Sequence, residues 1–317
     1  AQVAIWAQVS VVSASDIVEH LIPNEVRMEC IFFDCDDCLY KNKWATAARL
    51  NDKFREYCQI KLGVPECKML ELYRTYGTTL CGLIREGHIA EEQVQDFLAS
   101  VHDVPLDDDI HPDPALRKML EALPHRRWVF TAATRKHAER CLRCLGIEDL
   151  FDGIVACSSP QMLERAGYVS KHDRLCFEAA MDMAGVARER AAGCMLLDDS
   201  VTNLETARTM GWRTVLVGLH KRDGSQIDTS QVDFAVETLH ELRKVVPSLF
   251  GGATAGAATS LSQKANIAAG EKEALPMKRG RREVKPCASS PERRVLRKRQ
   301  LVMSPEQRQN VSSPESL

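Results

Sequence analysis

The stretch Glu29-Cys30-Ile31-Phe32-Phe33-Asp34-Cys35-Asp36-Asp37-Cys38-Leu39-Tyr40 decides the fold. Residues 29–34 read as a short strand whose apolar run ends abruptly in carboxylates. An apolar run without alternation is the mark of a strand buried on both faces, as in a parallel sheet. Equivalent runs follow at Trp128-Val129-Phe130-Thr131, Gly153-Ile154-Val155-Ala156, Cys194-Met195-Leu196-Leu197 and Thr214-Val215-Leu216-Val217, with a last candidate at 232–235. Between them lie helical patterns over Leu116 to Leu123, Lys136 to Leu145, Leu175 to Ala184 and Val201 to Met210, several of them stopped by a glycine. Apolar strands alternating with helices predict an α/β fold, a Rossmann-like parallel sheet with helices on both faces.

One segment is too long for a simple crossover. Residues 45–110 separate the first two strands and carry apolar residues at helical spacing, among them Leu50, Phe54, Tyr57, Met69, Leu72, Tyr73 and Tyr76. They predict a helical cap inserted after the first strand, leaving 28–44 and 111–248 as the core. Residues 1–27 read as an N-terminal extension, since Met28 stands just before the first strand and the basic start of a secretory signal is lacking.

Residues 249–317 read as a disordered basic tail. From 251 onward there is no Phe, Trp or Tyr, and thirteen Lys and Arg stand against six acidic residues. Burial there cannot offset the entropy of ordering. The formal charge of the whole 317-residue chain, only -2, therefore averages an acidic body and a basic tail. The overall composition, 44% hydrophobic and 27% charged, excludes a wholly disordered chain or a fibre. No apolar run approaches the roughly 18 residues of a membrane span.

The twelve cysteines are scattered, and in a chain of this length they read as reduced thiols of an intracellular protein. Two Cys-x-x-Cys pairs, Cys35/Cys38 and Cys141/Cys144, would have to converge to hold zinc. They read as free thiols.

Open parallel sheets bind ligands at the carboxyl ends of their strands. There this sequence places Asp34 and Asp36, Thr131, then Asp198 and Asp199, with Asn203 one helical turn on. Four carboxylates and a hydroxyl at one edge make a natural magnesium site, because a divalent cation relieves their repulsion. Asp34 is placed as a nucleophile that would form an aspartyl-phosphate. Asp36, two residues on, can reach the leaving group as general acid and then act as base on water.

These residues carry a resemblance. Phe32-Phe33-Asp34-Cys35-Asp36-Asp37-Cys38-Leu39-Tyr40, Val129-Phe130-Thr131-Ala132-Ala133 and Leu196-Leu197-Asp198-Asp199-Ser200-Val201-Thr202-Asn203 resemble, in order, three motifs of the haloacid dehalogenase (HAD) phosphatase superfamily. Lys171, in Val169-Ser170-Lys171-His172-Asp173, resembles the lysine of the remaining motif. Residues 34–41, 72–80 and 137–153 further resemble its pyrimidine 5′-nucleotidase subfamily. The resemblance implies Asp34 as nucleophile and metal ligand, and Asp36 as acid/base whose backbone carbonyl also meets the metal. It implies Thr131, Ala132 and Lys171 around the phosphate, Asp198 and Asp199 on magnesium with Asp199 the more direct, and Asn203 orienting that pair.

Three positions depart from the family pattern. Ala132 stands where asparagine is common, so a backbone N–H must replace a side-chain donor. His172 stands in place of proline after the lysine, and Cys38 in place of threonine, where an exposed thiol would make the protein sensitive to oxidation.

In the cap, Tyr73, Tyr76, Thr78 and Thr79 are candidates to contact a base. Tyr73 and Tyr76, at i and i+3, also fit the cap's own core. The expected function is a magnesium-dependent phosphatase for UMP or CMP. The alternatives are another small phosphometabolite, or a regulatory or nucleic-acid-binding protein built on the same scaffold. In the tail, 278–282 and 293–299 resemble a bipartite nuclear-localisation signal, which an import receptor would read. Ser290-Pro291, Ser304-Pro305 and Ser313-Pro314 suit a proline-directed kinase. A cytoplasmic or nuclear location, or both, is expected.

Overall fold

A computed structural model describes residues 27–251. The expectations for the N-terminal extension before residue 27 and for the tail beyond 251, its basic clusters and Ser-Pro pairs included, lie outside the described residues. Chain order gives β1 (Cys30–Phe33), α1 (Ala45–Glu56), α2 (Glu66–Tyr76), α3 (Thr79–Arg85), α4 (Val94–Val101) and α5 (Pro114–Glu121). Then follow β2 (Arg127–Thr131), α6 (Arg135–Leu145), β3 (Gly153–Ala156), α7 (Pro160–Ala166), α8 (Arg174–Met183) and β4 (Cys194–Asp198). The last elements are α9 (Val201–Thr209), β5 (Arg213–Val217), β6 (Phe234–Val236) and α10 (Leu242–Val245). None of these helices is long and apolar enough to cross a membrane.

The six strands form one sheet in the order β3-β2-β1-β4-β5-β6, and every pairing is parallel. Alternate strand residues feed two cores. Ile31, Phe33, Val129, Met195 and Leu197 pack with Leu116 and Leu120 of α5 and Leu142 and Leu145 of α6. Phe32, Phe130, Leu196 and Leu216 pack with Phe177 of α8, Leu204 of α9 and Trp212 on the opposite face. Each such side chain, fully removed from water, contributes about 1.5–3 kcal/mol before entropy. That double burial is why the strand sequences are apolar throughout rather than alternating.

Local chemistry fixes the helix ends. Asp113 caps α5 just before Pro114, and Ser159 caps α7 just before Pro160. Thr134 caps α6, which stops at Gly146 in the left-handed conformation. Helices α1 to α4 stand between β1 and β2 and share a separate core in which Phe97 meets Phe54 and Tyr57. The continuous periodicity of 45–102 is broken in the fold by a π-helical turn at Tyr57–Lys61 and by Gly77 between α2 and α3.

Strand order reverses around β1, which has β2 on one side and β4 on the other. Ligand crevices of open α/β sheets form at such a switch point. Asp34, Thr131 and Asp198 therefore meet at the carboxyl ends of β1, β2 and β4.

Candidate active site

The crevice at that edge is a cleft of about 720 Å³, bounded by strand-end loops on one side and cap residues on the other. Asp34 follows β1 directly, and its N–H donates to Leu197 O at 2.8 Å, which fixes it beside β4. Lys171, on the loop before α8, is buried and donates from Nζ to Asp34 Oδ1 at 2.5 Å and to Asp198 Oδ2 at 2.8 Å. Asp198 Oδ1 accepts from Ser200 N at 2.8 Å and from Asn203 Nδ2 at 2.9 Å. Both oxygens of Asp198 are thus engaged, whereas no hydrogen bond to the Asp199 carboxylate is found among the described residues.

Carboxylate oxygens of Asp34, Asp198 and Asp199 lie within 4.8 Å of one another. Burial pushes the Asp34 carboxyl well above the usual range; Lys171 pulls it down and the neighbouring aspartates push it up. Burial, with Asp198 and Asp37 beside it, pushes Asp199 up to about 7. Asp37, in the left-handed conformation, is likewise pushed up to about 6 by burial and by Asp36. Lys171, which burial alone would push down, is held well above the ordinary lysine value by Asp198 and Asp34. Four carboxylates here face two ammonium groups, Lys171 and Lys41, the latter tied to Val217 O at 3.1 Å. An all-oxygen cluster short of positive charge, with one carboxylate free of donors, fits a hard divalent cation.

Asp36 turns away from this cluster. Its Oδ1 accepts from Tyr40 OH at 2.5 Å and lies 2.8 Å from His137 Nε2. Burial alone would raise its carboxyl, but His137 and Tyr40 outweigh that and hold it at about 2. Burial would lower the His137 imidazole, but Asp36 outweighs it and holds the ring at about 10. The proton of this pair therefore rests on His137. Its ring packs edge-on against His102, which follows α4 where the chain leaves the cap helices.

Thr131 is buried at the end of β2, and its Oγ1 accepts from Ala133 N at 3.0 Å. Ala132, His172, Thr78 and Thr79 all line the cleft. Thr78 caps α3, its Oγ1 accepting from Cys81 N at 3.1 Å, which leaves its proton and one lone pair for a ligand. Tyr73 lines the cleft and is 54% exposed. Tyr76 does not line it, a correction to its expected substrate contact. The ring, three residues on, turns onto Gly82 of α3, stacks with Arg85 and reaches Glu86 at 3.4 Å. The thiol of Cys38 is also corrected: it is 2% exposed, donates to Leu197 O at 3.4 Å, and burial pushes its pKa well up. A buried, protonated thiol is a poor target for oxidants.

Asp37, Lys41 and the rim residue Arg222 line the cleft, and Tyr40 and His137 stand behind Asp36; sequence reasoning passed over all five. Tyr40 and Lys41 closed the quoted motif, and Asp37 lay inside it, yet nothing in their spacing tells which way they face. Gly77, between α2 and α3, is where the cap packs against the loop that carries Lys171. It has φ +79, and a Cβ there would collide with Ser170 Oγ and the His172 ring. Ser170 Oγ donates to Tyr76 O at 2.8 Å.

The yeast Saccharomyces cerevisiae phosphate metabolism protein 8 is 30% identical over 197 residues, 58% of this chain and 60% of that protein's length. The chain thus spans less than two thirds of that relative. Among solved structures, CbbY from Rhodobacter sphaeroides in complex with phosphate is 19% identical with a TM-score of 0.48, covering 68% of this chain and 96% of its own. The magnesium-bound HAD-hydrolase YfnB from Bacillus subtilis is 17% identical with a TM-score of 0.44, covering 69% and 98%. Residues 28–211 match the haloacid dehalogenase-like hydrolase family, and the chain belongs to it.

Proposed function

We propose that this hydrolase is a magnesium-dependent phosphatase that works through an aspartyl-phosphate on Asp34, with pyrimidine nucleoside monophosphates such as UMP and CMP as substrates. The observation that carries the reading is the Lys171 bridge between Asp34 and Asp198 inside a cluster of carboxylates short of positive charge. The kinship to a yeast protein named for phosphate metabolism supports the phosphate chemistry. The similarity of 34–41, 72–80 and 137–153 to pyrimidine 5′-nucleotidases supports the substrate class.

An Asp34 carboxylate oxygen attacks phosphorus, and the ester oxygen departs as the nucleoside hydroxyl. Lys171 holds Asp34 and balances negative charge on the phosphoryl oxygens, while the Thr131 hydroxyl and backbone N–H groups beside Ala132 bind those oxygens. The leaving oxygen needs a proton, and the pair Asp36–His137 supplies it, the proton being stored on His137 Nε2. Asp36, restored as a carboxylate, then takes a proton from the water that cleaves the phospho-aspartate. Asp34, Asp199 and the Asp36 backbone carbonyl would hold the magnesium ion, with Asp198 beside them. The ion's contribution is to neutralise charge on the transferring group. Tyr73 offers its exposed face to the base.

Phosphate release from a panel of UMP, CMP, purine nucleotides and sugar phosphates, with and without Mg²⁺, tests the reading. Turnover of UMP or CMP above the rest, dependent on Mg²⁺ and lost in Asp34→Asn, is the expected result. Full activity of Asp34→Asn overturns the covalent mechanism, and a preference for sugar phosphates overturns the substrate class.

A further inference from the structure

The two Cys-x-x-Cys pairs converge by halves. Cys35 from the first pair and Cys141 from the second point into one buried space, while their partners turn elsewhere: Cys38 to Leu197 O and Cys144 to Asp107 Oδ1 at 3.1 Å. The sulfurs of Cys35 and Cys141 and a carboxylate oxygen of Asp36 lie within 4.8 Å of one another. His137 stands beside the group, against two of its three members. It precedes Cys141 by four residues on α6, so the two share a helix face. Its Nε2 lies 3.5 Å from Cys141 Sγ and 2.8 Å from Asp36 Oδ1. Among the described residues His137 Nδ1 has no partner, so neither ring nitrogen bonds outside this group.

We propose that Cys35, Asp36 and Cys141 form a site for a thiophilic divalent cation of the zinc class, separate from the all-oxygen cluster around Asp34, with the adjacent His137 ring moving in as the fourth ligand. Zinc takes four ligands at about 2.0–2.3 Å, which places neighbouring ligand atoms about 3.3–3.8 Å apart in a tetrahedron. The His137–Cys141 separation already falls in that range, the Asp36–His137 separation must widen by about half an ångström, and the ring must close on Cys35, whose cluster does not yet include it. Two sulfurs and an imidazole select a soft or borderline metal, whereas the carboxylates around Asp34 select a hard one. Metal binding sends the two thiol protons and the Nε2 proton of His137 to solvent. The ion enters from the cleft, which Asp36 lines with a side chain 23% exposed while that of His137 is fully buried. Tyr40 OH remains on the carboxylate and orients it. A consequence rests on the proposed phosphatase reading: a metal seated here removes both Asp36 and His137 from proton transfer and inhibits turnover without touching Lys171 or Asp199.

Titrating the full chain with Cd²⁺ and following the ultraviolet thiolate-to-cadmium charge-transfer band tests the site without reference to activity. One equivalent should saturate the band. Cys35→Ser and Cys141→Ser, made separately, should each weaken binding at least about tenfold. Cys157→Ser should leave it unchanged; its sulfur meets Cys176 at 3.6 Å and lies outside the cluster of Cys35, Asp36 and Cys141. Circular dichroism of each variant keeps misfolding separate from ligand loss. A band that does not saturate at one equivalent, or that survives both substitutions, overturns the proposal. In the activity arm, Cys141→Ser should turn over in Mg²⁺ as wild type does yet resist Zn²⁺. Equal inhibition of variant and wild type would place inhibition at the oxygen cluster and overturn that consequence, and no turnover by wild type at all would sink the phosphatase reading while leaving the cadmium result standing.

Discussion

Asp34 and Asp36 sit two residues apart on one loop and live in opposite electrostatic worlds. Asp34 joins a crowd of carboxylates with too few cations, and burial drives its carboxyl upward. Asp36 has a private imidazolium and a phenol, and its carboxyl is held at about 2. Alternation along a strand would put residues i and i+2 on one side; here β1 has already ended at Phe33 and the chain turns at 36–39, and that turn separates a site that wants a cation from one that already has its counter-charge. A single loop can thus supply both an anion cluster and a proton donor.

The largest effect expected on the first side is chemical. Asp34→Asn should lower phosphate release by roughly 10³-fold or more, since removing one member of a catalytic unit forfeits what the unit does; steady-state turnover of UMP measures it. Next, Lys171→Met should destabilise the fold by about 3–5 kcal/mol, because it leaves buried Asp34 and Asp198 without their shared cation. Denaturant midpoints at neutral pH, without Mg²⁺, give the value, and a loss below about 1 kcal/mol would mean the cluster does not depend on its lysine.

The carboxylates of the two sides should also respond to pH with opposite slopes, while His137 follows the sign of Asp199. Asp199 has its folded value raised from 3.8 to about 7, so in that window the folded state holds the extra proton. Stability of the metal-free protein from this group therefore falls as pH rises from 3.8 to about 7, and Mg²⁺ should flatten the fall. Asp36 has its value lowered from 3.8 to about 2, so its contribution is present above 3.8 and lost as pH falls through about 2. His137, raised from 6.5 to about 10, contributes fully below 6.5 and loses its contribution as pH rises through about 10. Melting temperatures from pH 3 to 10, with and without Mg²⁺, read all three.

Smaller effects belong to the cap. Tyr73→Ala should raise KM for UMP about tenfold, the scale of one lost base-stacking contact of roughly 1–3 kcal/mol. It should leave kcat on a small aryl phosphate unchanged. Tyr76→Phe should alter KM and kcat for either substrate by less than about twofold, since its hydroxyl meets only Glu86 outside the cleft.

Strand-end chemistry was legible from sequence because a parallel sheet leaves no choice: an apolar run ending in Asp34, Thr131 or Asp198 must deliver that residue to one edge. Asn203 was legible for the same reason, one turn into the helix that Ser200 caps. Orientation across loops was not. Tyr76 and Tyr73 share a helix face in sequence, but the tight α2–α3 packing through Gly82 claims one ring and leaves the other to the cleft. The pairing of Asp36 with His137, 101 residues away, depends on how α6 packs below β1, which no local pattern encodes. Helix α7 was passed over although Ser159-Pro160 announces it, because seven residues hold too little periodicity to register.

Gly77 bears on how such a protein can change over generations. Every other residue there meets both a disfavoured backbone angle and the Ser170–His172 wall. Ser170 and His172 flank Lys171, so relief of that crowding by movement of the wall would displace the lysine. On the proposed phosphatase reading the cap can vary at Tyr73 or Thr79, which line the cleft, while its contact with the loop around Lys171 stays closed to drift. Residues that line the cleft and residues that hold Lys171 are in this way free to diverge at different speeds within one chain.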